Sequence, residues 1–168
     1  MQASMQRAEF DQLKEKIKDI KFAMLSTVEE DGDIHMRPMA THDMDENGTL
    51  WFFTYDDSNK VREIRRNPKV GLGYENHSAE TYVTAAGTAQ VVKDKAKIDE
   101  LWNDFLKAWF PEGKEDPRIA LLKVELHQAE YWDRPGGKMV TLFEMVKAKF
   151  TGEPDKSGRN EKFGFEKS

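Results

Sequence analysis

Two glycine turns, Asp31-Gly32 and Asn47-Gly48, separate three short apolar runs early in the chain. Asp-Gly and Asn-Gly pairs reach the positive φ values that a tight two-residue hairpin demands. Residues 22–28, 34–42 and 49–55 therefore read as consecutive antiparallel strands. Pro38 lacks a ladder donor, which sends the second of them to an edge or a bulge.

The rest of the chain continues in this manner. Phe10, Leu13, Ile17 and Ile20 recur at helical spacing and predict an amphipathic helix over residues 6–21. Asp56-Asp57-Ser58-Asn59 offers N-cap residues for a short helix that ends near Asn67, before Pro68. Strands follow at 70–74 and 81–92, with Gly87 marking a bulge or a close backbone approach. Ile98, Leu101, Trp102, Phe105, Leu106 and Trp109 form an apolar stripe that predicts one helix over 94–109, stopped by Pro111. A strand over 120–133 and a helix over 139–150 complete the domain, residues 1–150. Residues 151–168, poor in apolar side chains, read as an extended or mobile tail with Phe163 and Phe165 as anchors. Five or six hairpin-linked strands with flanking helices imply an α+β fold, and a small antiparallel barrel leaves the fewest open edges.

Composition removes several classes of function. The 168 residues contain no cysteine, so disulfides, thiolate metal sites and cysteine catalysis are excluded. A net charge of -5 weighs against nucleic acid as a partner. No apolar run reaches the roughly 18–20 residues of a membrane span, and the first residues lack an apolar signal core. The expectation is a cytoplasmic protein without a membrane contact.

One constellation points to chemistry. Side chains alternate along residues 34–42, so Arg37, Met39 and Thr41 share a face. A half-buried arginine needs an anion, which is either a carboxylate of the protein or a ligand. Thr54 ends the third strand, and Ser58 and Lys60 open the following helix, where free N–H groups, a hydroxyl and an ammonium favour an anion. Ser58 taken alone reads as a helix cap. Beside these groups lies the flat surface of Trp51, Phe52 and Phe53. A phosphorylated planar cofactor suits the combination, and flavin mononucleotide (FMN) is the first candidate.

Other patterns fail on inspection. Asp43-x-Asp45-x-Asn47-Gly48 begins like a calcium loop, but Thr54 stands where that loop needs a bidentate Glu. Gly71-x-Gly73-x-x-Asn76 lacks the last glycine of a dinucleotide fingerprint, and Pro135-Gly136-Gly137-Lys138 lacks the phosphate-loop spacing. The four histidines show no pairing at i, i+4, and no metal site is assigned.

Several short motifs in order carry a family resemblance: Ala23-Met24-Leu25-Ser26-Thr27, Arg37-Pro38-Met39, Leu50-Trp51-Phe52-Phe53-Thr54, Ser58-Asn59-Lys60-Val61, Asn67-Pro68-Lys69-Val70, Gly87-Thr88-Ala89 and Glu130-Tyr131-Trp132-Asp133. Through them the chain resembles the general stress protein branch of the pyridoxamine 5'-phosphate oxidase-like, FMN-binding split-barrel family. The resemblance implies a six-stranded antiparallel split β-barrel and a homodimer with FMN at the subunit interface. FAD or a deazaflavin is the lesser alternative. By analogy, Arg37, Ser58 and Lys60 would hold the phosphate, and the backbone of Arg37-Pro38-Met39 and Phe53-Thr54 would line the ring and ribityl chain. Trp132 would wall the pocket from the partner subunit. Trp109 would join it, although its place on an apolar stripe favours core packing.

The same resemblance implies an oxidoreductase, with electron or hydride transfer between a nicotinamide cofactor or another small redox substrate and the flavin. A flavin-binding stress protein without turnover is the alternative, and a cofactor-free dimer with Arg37 and Lys60 in salt bridges is a third. True pyridoxamine phosphate oxidases carry Arg-x-His shortly after the tryptophan that matches Trp132. This chain reads Asp133-Arg134-Pro135-Gly136 and has no such histidine, which argues against vitamin B6 oxidation. No catalytic acid or base is assigned.

Overall fold

The computed structural model describes residues 2–133 and 159–164. Strands β1 (Phe22–Val28) and β2 (Ile34–Ala40) pair around the Asp31-Gly32 turn, where Glu29 N–H donates to the Asp33 carbonyl at 2.8 Å. Strands β3 (Asp43–Met44) and β4 (Thr49–Tyr55) pair around Asn47-Gly48. Asp45 organises this second turn. Its carboxylate accepts from the N–H of Asn47 and Thr49 and from the Trp51 indole.

Strands β5 (Lys69–Asn76), β6 (Thr81–Val92), β7 (Ile119–Asp133) and β8 (Arg159–Gly164) follow. The sheet order is β2-β1-β5-β6-β7-β4-β3, with β8 paired to β7, and every pairing is antiparallel. The architecture is an α+β half-barrel, with the six expected long strands and two short ones, β3 and β8. As Pro38 requires, β2 is a terminal strand of the sheet.

Among the described residues three α-helices accompany the sheet: α1 (Gln2–Ile17), α2 (Asn59–Arg66) and α3 (Lys95–Leu101). A single strand over 34–42 was expected. Instead the chain leaves β1 after Ala40 and turns toward β4, with Thr41 N–H still on the Lys21 carbonyl and His42 N–H on the Trp51 carbonyl, 2.9 Å away. One bent segment thus links the two ends of the sheet and draws it into a barrel.

The apolar run of β4 serves two cores at once. Leu50 and Phe52 enter the barrel with Leu25, Leu72, Val83, Leu122 and Val124. Trp51 and Phe53 face the other way and pack with Ile98, Leu101, Leu106, Phe110 and Leu121. Leu13 and Ile17 bring α1 into the barrel core, with Ile20 following just after the helix, and Val61 and Ile64 do the same for α2.

A bulge sets the facing of β7. Ala86 lies opposite Gln128 and Gly87 opposite Leu126, so His127 is an extra residue on β7. Inward positions consequently change from even (Leu122, Val124, Leu126) to odd (Ala129, Tyr131). A Cβ at Gly87 would collide with the Glu125 carbonyl oxygen, so glycine is what permits this approach. Tyr131 thereby points into the barrel and Trp132 away from it.

The helix expected over 94–109 is broken. Its first part is α3, with Asp94 accepting from Lys97 N–H at the N-cap. The chain then extends at Trp102 and Asn103 and resumes as a 3-10 turn, Asp104–Ala108. The break rotates the second half of the stripe. Leu106 and Phe110 are buried, but Phe105 and Trp109 are exposed. The helix expected over 139–150 lies outside the described residues.

Candidate functional site

Lys60, in the first turn of α2, directs its ammonium back at the end of β4, where Nζ donates to Thr54 Oγ1 at 3.2 Å. Ser58 occupies the N-cap position with extended backbone, but its hydroxyl makes no capping bond. It faces Thr54 Oγ1 at 3.3 Å instead. The capping role that Ser58 alone suggests is therefore not the one it performs. Three groups named from sequence, Thr54, Ser58 and Lys60, do converge.

Arg37 lies beside them but is engaged elsewhere. Nη1 donates to Thr27 Oγ1 at 2.6 Å, and Nη2 donates to Glu63 Oε2 at 2.8 Å. Thr27 donates in turn to the same Glu63 oxygen. This small network is well shielded: the side chains of Arg37 and Glu63 are 14% and 11% exposed. The carboxylate partner foreseen as an alternative for Arg37 is thus present in the chain itself. A guanidinium has five N–H donors, so Arg37 keeps capacity for a further acceptor.

The electrostatics follow from burial and neighbours. Desolvation and the Arg37 charge push the Lys60 ammonium below its usual pKa, and Glu63 offsets this only in part. Burial alone would raise Glu63, but hydrogen bonds from Thr27, Arg37 and His35 outweigh it and hold the carboxyl below its ordinary value. Among the described residues Lys60 makes no ion pair, and its hydrogen-bond partner is the Thr54 hydroxyl.

A cavity of about 200 Å³ opens next to Lys60, lined by Met39, Phe53, Thr54, Leu106, Trp109 and Phe110, among others. Of the residues named from sequence, Met39, Phe53, Thr54 and Lys60 line it. Pro38 is exposed on the outer face of β2, and Trp132 is not part of the wall. Trp109 is a wall residue, 44% exposed, in edge contact with Phe22 and with the Lys21 ammonium over its ring. Core packing, the role its apolar stripe suggested, fails because the helix breaks before it.

The outward face of the β1–β2 ribbon adjoins this rim and is apolar. Phe22, Met24, Ile34 and Met36 are all exposed there. Sequence reasoning missed Glu63, which reads as part of a solvated basic helix. The available signal was its place between Val61 and Ile64, the two apolar anchors of α2.

A small antiparallel barrel with a basic, hydroxyl-bearing corner beside an aromatic cavity defines a recognisable class. Residues 8–155 match the family described as Pyridoxamine 5'-phosphate oxidase like, and the chain belongs to that family. General stress protein 26 of Bacillus subtilis (strain 168) is 33% identical over 121 residues, covering 67% of this chain and 83% of that protein. The crystal structure of General Stress Protein 26 from Bacillus anthracis str. Sterne superposes with a TM-score of 0.63 at 30% identity, covering 71% of this chain and 92% of that one. The general stress FMN/FAD binding protein from Xanthomonas citri gives a TM-score of 0.64 at 25% identity, covering 83% and 96%.

Proposed function

We propose that this protein binds FMN, with the phosphate at the start of α2 and the ring in the cavity walled by Met39, Phe53 and Trp109, and that it serves flavin-dependent electron transfer. One observation carries the reading. Lys60 is a partly buried cation bonded to the Thr54 hydroxyl, with no carboxylate paired to it among the described residues and a second cation nearby. Such a group is costly until an anion arrives. A phosphate would accept from Lys60, Ser58 and the spare donors of Arg37, as well as from the N-terminal N–H groups of α2.

The name of the Xanthomonas citri relative, an FMN/FAD binding protein, supports a flavin as the planar ligand. When bound, the flavin supplies the redox chemistry, and the chain supplies binding, orientation and exclusion of water. Thr54 keeps the Ser58 hydroxyl and Lys60 aimed at one point. Glu63 and Thr27 hold Arg37 beside them.

A second copy of the chain completes the site in this reading. The exposed stripe of Phe22, Met24, Ile34 and Met36 runs up to Trp109 at the rim, and a partner seated there would close the open side of the cavity. Trp132 would then come from the partner. The missing Arg-x-His motif argues against vitamin B6 oxidation. The alternative, flavin binding without turnover, uses the same residues.

The test is the visible spectrum of the purified chain after excess FMN is added and the unbound fraction removed. A retained flavin spectrum near one per subunit supports the proposal, and a colourless protein overturns it. Oxidation of NADH or NADPH by the loaded protein then separates an oxidoreductase from a carrier.

A further inference from the structure

Three metal-ligating side chains, none of them lining the cavity, converge at Glu63 of the Arg37 network. Glu29 sits at the end of the β1 hairpin, His35 lies in β2, and Glu63 lies in α2. His35 Nδ1 is 3.4 Å from Glu29 Oε1 and 3.5 Å from Glu63 Oε1, and the three donor atoms lie within 4.8 Å of one another. We propose that Glu29, His35 and Glu63 form a site for a divalent transition metal, with Zn²⁺ as the best match.

Two of the three donor separations suit a shared ion. Ligands about 2.0–2.1 Å from a tetrahedral zinc stand about 3.3–3.4 Å apart. The two distances to His35 lie close to that edge, and the His35–Glu63 contact is at the long limit of a hydrogen bond. One imidazole nitrogen with two carboxylate oxygens suits Zn²⁺ better than Mg²⁺ or Ca²⁺, which favour all-oxygen shells. Three protein ligands leave the fourth position to water.

The ligands are also held in advance. Glu63 presents Oε1 to the site because Oε2 is fixed by Thr27 and Arg37. Outer hydrogen bonds of this kind orient a metal ligand. Glu29 is anchored by two backbone bonds of its turn, with Asp33 and Gly32. His35 lies opposite Thr27 in the β1–β2 ladder. Two carboxylates offset the dication, while Arg37 holds Glu63 through the opposite oxygen. This site does not depend on the flavin.

The competing explanation is that His35 only contacts the two carboxylates, with no affinity for metal. Calorimetric titration of the chelator-stripped full chain with zinc chloride separates the two. One zinc per chain is expected, and His35→Ala and Glu29→Gln should each weaken binding at least tenfold. Both side chains are substantially exposed, so the variants should keep the wild-type circular dichroism and melting temperature. His77→Ala, which removes the exposed His77–Glu75 pair, should bind zinc as wild type does. Absence of zinc binding, or binding that survives both His35→Ala and Glu29→Gln, overturns the proposal.

Discussion

Arg37 and Glu63, 26 residues apart, meet at 2.8 Å and join the terminal strand of the barrel to the helix that begins at the candidate phosphate site. The pair is nearly buried and shares the Thr27 hydroxyl. It fixes the direction of one cation, while Lys60 has no ion-pair partner among the described residues.

Removal of one partner of such a pair leaves an uncompensated charge. Glu63→Ala should cost about 3–5 kcal/mol, measured by urea unfolding at pH 7. The sign of the pH dependence follows from the depressed pKa of Glu63. The folded state binds the Glu63 proton less readily than the unfolded state does. The stabilisation is therefore complete above the ordinary value of 4.5 and is lost as pH falls through the lower folded value. The variant should show a shallower loss of stability below pH 4.5 than wild type.

Lys60 carries the opposite balance. Its folded pKa is depressed, so the charged form opposes folding at neutral pH, and that penalty fades as pH rises toward 10.5. Lys60→Met should leave the ligand-free melting temperature unchanged or raise it. Millimolar inorganic phosphate should raise the melting temperature of wild type and not that of the variant.

Gly87 is fixed by contact. Substitution by Ala drives Cβ against the Glu125 carbonyl and forces β6 from β7 at the bulge. A loss of about 2–3 kcal/mol is expected, read as a fall in the urea midpoint with little change in slope.

The apolar stripe on β1 and β2 gives a separate test. Met36→Glu places a charge in the middle of the exposed face, at a side chain outside the core. Light scattering after gel filtration should show a dimer for wild type and a monomer for the variant. A wild-type monomer would contradict the two-subunit site.

Much of this architecture is legible in the residues. Asp31-Gly32 and Asn47-Gly48 announce their hairpins, and Gly87 announces its bulge, because those backbone paths exclude most other residues. Thr54, Ser58 and Lys60 are close in sequence, and their convergence follows from one strand end and one helix start. Nonlocal features were not legible. The α3 stripe keeps helical spacing through Trp102 and Asn103, yet docking on Phe53 and Trp51 is satisfied by breaking the helix there. The partner of Arg37 could not be chosen among 31 acidic residues without the fold. Strand β8 carries one apolar residue, Phe163, so no alternating pattern announces its pairing to residues 128–133 of β7.

The most direct measurement compares FMN with riboflavin, which differs only by the phosphate, on wild type and Lys60→Ala by flavin fluorescence quenching. The account predicts that FMN affinity falls about tenfold or more in the variant, since a charge-assisted hydrogen bond contributes about 1.5–3 kcal/mol. Riboflavin affinity should stay within about twofold. Equal loss for both ligands, or no loss for either, would contradict the assignment of Lys60 to the phosphate.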